Sequence, residues 1–267
     1  MSHTFEVWDR LGNINLQNSS IVLFLPLMAK KKKSGIRRFF RIVFRVVLIM
    51  FLSSLLYVVV CRWVMPPITI TQMGGVFGGY GLKRDYVSWN NISRNVKLAA
   101  IASEDQLFPE HNGFDWKAMD KSLNGPHKKK RVAGGGASTI SQQTAKNVFL
   151  WQGEGWSRYV RKGFEFYFTQ MIEWTWGKRR IMEVYLNVIE MGPGIFGIEA
   201  ASQKYFHKHA KDLSRAEAAM IIACLPNPKK FSVVPMSARV RSRYPWIMEQ
   251  MDNLEGDDDV EAVIKTP

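Results

Sequence analysis

Ala99-Ala100-Ile101-Ala102-Ser103-Glu104-Asp105-Gln106-Leu107-Phe108-Pro109-Glu110-His111-Asn112-Gly113 runs from small apolar residues at helical spacing into an acidic pair, then Phe, His and Gly. A carboxylate at the end of an apolar helix is partly desolvated, which raises its pKa and suits it to proton transfer near neutral pH. The plainer reading of Glu104-Asp105, a solvated pair at a helix end, is favoured on this segment alone. Working outward, the periodicity predicts helices at Val96–Ser103, Trp116–Asn124, Ser138–Phe149, Arg158–Trp176, Lys178–Ile189, Gly197–Tyr205, Ser214–Ala223 and Val240–Asp252. No convincing strand run and no internal repeat interrupts them, so the fold class is mainly α. Residues 68–95, with Gly74, Gly75, Gly78, Gly79 and Gly81, read as mixed, and Glu255–Pro267, with Asp257-Asp258-Asp259, as a short acidic tail.

Two further constellations carry chemistry. In Gly134-Gly135-Gly136-Ala137-Ser138-Thr139-Ile140-Ser141-Gln142-Gln143, a triple glycine feeds a helix start, and Thr139 with Gln142 fits a capping box. A Gly-rich loop at a helix N-terminus is a ready anion site. Lys146 lies one turn beyond Gln142 on the same face. It is not a Walker loop, since no Gly-Lys-Ser/Thr follows, and an ordinary flexible loop before a capped helix is the alternative. Lys128-Lys129-Lys130-Arg131, just before it, reads as a solvated face. In Arg158-Tyr159-Val160-Arg161-Lys162-Gly163-Phe164-Glu165, two cations and a carboxylate share one helical face. A surface ion-pair ladder would be worth little. The many aromatic residues of the same helix, Phe164 to Trp176, instead predict that it is mostly buried or lies against lipid, where unpaired charge is costly.

Val46 to Val60 reads VVLIMFLSSLLYVVV. Extended over Phe39, Phe40 and Val64, it supplies the roughly 20 apolar residues that a membrane helix needs, with Lys30 to Lys33, Arg37, Arg38, Arg41 and Arg45 ahead of it. No small-x-small cleavage site follows, so an uncleaved anchor is expected. The positive-inside rule then puts the N-terminus in the cytoplasm and everything after residue 65 outside it. Translation starting at Met28 and a real but unstructured tail are both open for residues 1–27. The expected divisions are 1–38 cytoplasmic basic tail, 39–65 transmembrane helix, 66–252 catalytic domain and 253–267 acidic tail. The 267 residues suffice for one sizeable core plus the anchor. The formal net charge of +14 calls for an anionic partner. Cys61 and Cys224 form no metal-spaced or disulfide pattern.

Together these stretches resemble the peptidoglycan glycosyltransferases, glycosyltransferase family 51, which include the N-terminal module of class A penicillin-binding proteins. Glu104-Asp105-x-x-Phe108-x-x-His111-x-Gly113 resembles the first signature, Gly136-x-Ser138-Thr139-Ile140-x-Gln142-Gln143-x-x-Lys146-Asn147 the second, and Arg161-Lys162-x-x-Glu165 the third. Lys178-x-x-Ile181-x-Glu183-x-Tyr185-Leu186-Asn187, with Gly192-x-Gly194-x-x-Gly197-x-x-Ala200-Ala201-x-x-Tyr205-Phe206, resembles the fourth. Leu213-x-x-x-Glu217-Ala218-Ala219, followed by Leu225-Pro226-x-Pro228, resembles the fifth. The motifs stand in order over about residues 98–235, and no transpeptidase segment follows them, so the chain looks like the monofunctional biosynthetic form. Thr169 stands where the family often has alanine and Met182 where it often has leucine, both at packing positions. A family arginine ahead of the third motif is best matched by Arg158.

The resemblance implies a lysozyme-like helical lobe with a smaller membrane-associated jaw, preceded by one N-terminal transmembrane helix. Phe114–Ala133 would include the jaw and a mobile loop. The substrate implied is lipid II, a disaccharide-pentapeptide on undecaprenyl diphosphate, joined to a nascent glycan chain in the inner membrane with the catalytic domain periplasmic. Glu104 would be the general base and Glu165 the second catalytic carboxylate, either orienting cations or holding a divalent metal, magnesium or manganese. Lys146, Arg161, Lys162 and Arg158 would stabilise the leaving diphosphate. Gln142, Gln143, Ser138, Thr139 and Asp105 are carried over as substrate-binding. Glu183, Tyr185, Asn187 and the glycines of the fourth motif are expected to be scaffold. Inner-membrane lipids and cell-division or elongation proteins are candidate partners; nucleic acid is not, given export. A lysozyme-type hydrolase also needs carboxylates on a helical lobe, but not a diphosphate pocket. A basic scaffold would not need Glu104.

Overall fold

The computed structural model describes residues 35–124, 138–153 and 155–265, and of residues 121–124 the backbone only. The triple glycine, the basic run Lys128–Arg131, the end of the expected jaw loop and residues 1–34 lie outside the described residues. The chain divides into two compact units, Met1–Ile49 and Met50–Pro267. Helix α1, Gly35–Cys61, begins in the first and ends in the second. At about 1.5 Å per residue, its 27 residues exceed the roughly 30 Å of a bilayer's hydrocarbon core. It runs from Gly35 to Cys61, against the expected 39–65.

The last turn of α1 is clamped. Val58 and Cys61 are buried. The terminal carbonyls of a helix lack intrahelical partners. Here Trp176 Nε1 donates to Val58 O at 2.9 Å, and Arg180 donates to Cys61 O through Nε and Nη2 at 3.2 and 3.0 Å. A cation at this end also complements the helix dipole. Helix α2, Ile70–Phe77, follows with a reciprocal Thr69–Gln72 capping box. It lies in the glycine-containing stretch expected to be mixed, and its local signal in the sequence is Thr69-x-x-Gln72.

The remaining elements are the short strand β1, Lys83–Arg84, and helices α3, Arg94–Glu104; α4, Trp116–Asn124; α5, Ile140–Phe149; α6, Ser157–Thr175; and α7, Lys178–Val188. Then come strands β2, Glu190–Gly192, and β3, Ile195–Phe196, and helices α8, Ile198–Phe206; α9, Arg215–Ala223; α10, Ala238–Leu254; and α11, Asp258–Ile264. Mainly α is thus the observed class. The small sheet, in order β1-β3-β2, was not expected. Its hairpin requires glycine: at Gly194, φ is +69° and a Cβ would lie 2.1 Å from Tyr80 O.

Helix α3 is the axis of the core, with Val96 to Ser103 all buried and with α9, α10 and α11 packed on it. Helix α5 packs on α6 and α7. The fourth-motif polar residues are scaffold here: Asn187 exchanges two hydrogen bonds with the backbone of Val87, and Glu183 takes Trp89 N and Arg180. Met182 is fully buried, and buried Thr169 donates to Glu165 O at 2.6 Å, so both departures are packing positions.

The acidic tail is a correction. Asp257 caps α11 by accepting from Asp259 N and Val260 N at 3.1 and 3.0 Å, and Val260, Val263 and Ile264 are buried. The acidic run is favourable because it sits at a helix N-terminus, and the apolar residues three and four apart behind it supply the buried stripe. Ile264→Ala is expected to cost about 2–4 kcal/mol, as other buried large-to-Ala changes do, whereas Asp258→Ala should cost little. Thermal unfolding of the solubilised full chain checks this; equal, negligible shifts would restore the solvated-tail reading.

Candidate active site

The site is assembled by Asp105. Its backbone leaves the helix at the end of α3, and its buried carboxylate accepts from Ile140 N at 2.9 Å and meets His111 Nε2 at 2.9 and 3.0 Å. Ile140 is the first residue of α5, so the carboxylate also faces that helix's positive end. His111 Nδ1 accepts from Gly113 N at 3.1 Å, so in the neutral ring the proton sits on Nε2, donated to Asp105. Gly113, at φ +89°, packs so closely on α6 that a Cβ would lie 2.8 Å from Thr169 Cγ2. Thr139 Oγ1 donates to Gly113 O at 2.7 Å and caps α5 with Gln142. Glu173 on α6 takes Ser141 and Lys178, and Lys178 also donates to His111 O. The first, second and fourth motifs are therefore tied into one knot.

That knot aims Glu104 the other way. Its carboxylate accepts from Ser103 Oγ through Oε1 and from Gln143 Nε2 through Oε2, each at 3.1 Å. Gln143 is itself within 3.4 Å of Tyr185 OH, which is fully buried. Arg243, from α10, sets Nη2 3.8 Å from Glu104 Oε1 and donates to Ser103 Oγ at 3.0 Å. Burial pushes the Glu104 carboxyl up from its ordinary range, and adjacent Asp105 adds to the rise, while Gln143, Arg243 and Ser103 oppose it. The desolvated alternative for Glu104 is the one realised.

One turn beyond Gln143, Lys146 has no hydrogen bond or ion pair to a described residue. Burial pulls its pKa down, as do Arg161 and Lys162, while Glu165 and Glu104 pull it back. Glu165 is buried on α6 and paired with half-exposed Lys162. Nε of Arg161 is buried without a hydrogen-bond partner. The cluster thus holds three cations around one carboxylate, already paired. Among the described residues no group of three His, Cys, Asp or Glu could hold a metal ion, and the carboxylate at this cluster is Glu165.

The other residues read from sequence divide. Asp105, Thr139 and Gln142 spend their side chains on the fold. Gln143 holds Glu104, and Ser138, half-buried, offers its carbonyl to Gln143 at 3.4 Å. Arg158 is exposed, 6.0 Å from the Tyr159 ring. Of the two settings expected for helix α6, burial is not the one observed: Glu165, Thr169 and Ile172 are inside, while Tyr159, Phe164, Phe166 and Trp174 are exposed. Arg243 was missed. Nothing in its sequence neighbourhood separates it from Arg239 and Arg241; only the packing of α10 on α3 does.

A family model described as "Transglycosylase" matches residues 71–252. A "Biosynthetic peptidoglycan transglycosylase" of Pseudomonas aeruginosa is 44% identical over 229 residues, covering 84% of this chain and 97% of the relative. Relatives with the same name from Bdellovibrio bacteriovorus and Shigella boydii are 47% and 52% identical, covering 78% and 67% of this chain and 83% and 72% of theirs.

If Asp105 is a fold residue, Asp105→Ala should lower stability by about 2–3 kcal/mol, since hydrogen bonds to a buried charge are among the stronger ones. Denaturant unfolding measures the loss. A variant of unchanged stability but weakened substrate binding would return Asp105 to the substrate-contact role.

Proposed function

The chain belongs to the transglycosylase family, and from that premise we propose that Glu104 and the cations facing it polymerise lipid II into β-1,4 glycan strands. The coarser statement stands without that detail: the protein is a glycosyltransferase enzyme of peptidoglycan synthesis. The observation that carries the finer one is the pairing of a desolvated carboxylate with the Lys146, Arg161, Lys162 cluster.

In this reading Glu104 takes the proton of the acceptor 4-hydroxyl as that oxygen attacks the donor's anomeric carbon. The bond from that carbon to the diphosphate oxygen breaks, and undecaprenyl diphosphate leaves with inversion. A raised carboxyl pKa makes Glu104 a stronger base than an ordinary surface glutamate. Gln143 and Ser103 fix its direction. Charge develops on the leaving diphosphate, and preorganised cations act most strongly there. Lys146, pulled down by burial and by Arg161 and Lys162 despite Glu165, gains an anionic partner of its own when the diphosphate binds. Glu165 keeps Lys162 in place. Magnesium or manganese would find one protein carboxylate at this cluster, so the diphosphate would have to supply most of its oxygens. The anchor reading places α1 across the inner membrane, the N-terminus in the cytoplasm and the lobe in the periplasm, where the lipid carrier presents its sugar.

Purified full chain incubated with labelled lipid II should give polymer that lysozyme digests; no polymer, or shortening of pre-formed glycan instead, contradicts the reading. Glu104→Gln should keep the fold and abolish polymerisation. Lys146→Gln should cut turnover by about two to three orders of magnitude with unit or raised thermal stability, because it removes a desolvated charge without breaking a bond. Lys162→Gln should lose activity and also some stability, since it removes the ion pair of the buried Glu165.

The pH profile separates Arg243 from a packing residue. A base works only when deprotonated, so kcat/KM falls as pH drops through the Glu104 pKa. Arg243 holds that pKa down, and Arg243→Met should therefore move the acidic limb to higher pH. Arg243→Lys, which keeps the charge, should leave it nearly in place. Equal limbs in all three proteins would reduce Arg243 to a structural part.

A further inference from the structure

Helix α2 is built inside out. Its polar residues Thr71 and Gln72 are buried with Gly75, while Ile70, Met73, Val76 and Phe77 are exposed, Phe77 at 83%. The inward face is satisfied by specific bonds. Gln72 Nε2 donates to Tyr86 OH at 3.0 Å, Gln72 Oε1 accepts from Arg84 at 3.2 Å, and Gln152 Nε2 donates to Thr71 Oγ1 at 3.4 Å. The orientation is therefore fixed by the fold, and the apolar face has no partner among the described residues. In water a helix places its apolar stripe inward.

We propose that α2 lies in the surface of the membrane that α1 crosses, as a second, non-spanning lipid contact whose partner is an anionic headgroup layer. Three observations choose lipid over a protein partner. The helix begins nine residues after Cys61, so a short connection ties it to the end of the membrane-spanning segment. The connecting stretch carries exposed Trp63, with the Arg62 guanidinium 5.3 Å from its ring, and tryptophan is enriched at the membrane–water interface. The segments flanking α2 carry exposed cations, Arg62 before it and Lys83 after it, and Lys229 sits 4.2 Å from the Tyr80 ring. An apolar face bordered by cations is the pattern of an in-plane helix on anionic lipid. This goes beyond the single-pass anchor and rests on α1 being one, but not on the identity of the reaction.

The test is depth measurement on the full chain in phosphatidylethanolamine–phosphatidylglycerol vesicles. Met73→Cys and Phe77→Cys are spin-labelled one at a time, with Lys211→Cys, on an exposed turn, as the aqueous reference; Cys61 and Cys224 are buried and the unsubstituted chain gives their background. Labels at 73 and 77 should be reached by dissolved oxygen and shielded from a water-soluble nickel chelate, with the reverse at 211. Chelate accessibility at 73 and 77 equal to that at 211 overturns the proposal. So does shielding that vanishes as the protein-to-lipid ratio falls, because a second copy would then be the cover. Neither outcome depends on turnover, so failure here and failure of the glycosyltransferase reading are distinguishable.

Discussion

The Asp105 carboxylate on the first amide of α5 is the contact on which the site depends. It fixes the end of one buried helix against the start of another. Because Glu104 and Asp105 are consecutive at a helix end, their side chains diverge: one is spent on the fold and the other is left for chemistry. With α5 pinned, Gln143 falls beside Glu104, and Lys146, less than one turn on, falls beside α6 and its cations. The active site is thus a consequence of helix registry, set by a buried, fully used carboxylate rather than by the residues that react.

The electrostatics follow from the same packing. Burial pushes Glu104 and Lys146 in opposite directions, each toward its neutral form. Neither is compensated fully within the chain. In the proposed reaction, a substrate that brings a hydroxyl proton to one and a diphosphate to the other would complete both. Arg243 moderates the carboxylate from behind, through Ser103 and through space. Such a site is costly to hold open, and the dense knot of Asp105, His111, Thr139 and Glu173 is what offsets it.

Much of this was legible in the sequence. The helices were, because their apolar periods are long. The Thr139–Gln142 cap was, because capping boxes are local. The pairing of Lys162 with Glu165 was legible from their spacing on one helix. What the motifs did not reveal was direction. Asp105, Thr139 and Gln142 share motifs with Glu104 and Lys146, and only packing shows that they turn inward. Arg243 was invisible because a buried arginine on a basic helix looks like its exposed neighbours. Helix α2 and the final helix α11 were missed for opposite reasons. The first hides its polar side, against the usual pattern, and the second opens with an aspartate run that imitates a solvated tail.

Glu104 as a desolvated base can be read from its own titration. Infrared difference spectra of the full chain against Glu104→Gln isolate the protonated carboxyl band of this residue. The band should disappear with a midpoint above the ordinary glutamate value of about 4.3, and that midpoint should coincide with the acidic limb of kcat/KM for polymerisation. A Glu104 carboxyl that titrates in the ordinary range, or a limb that stays put while the carboxyl titrates elsewhere, would contradict it.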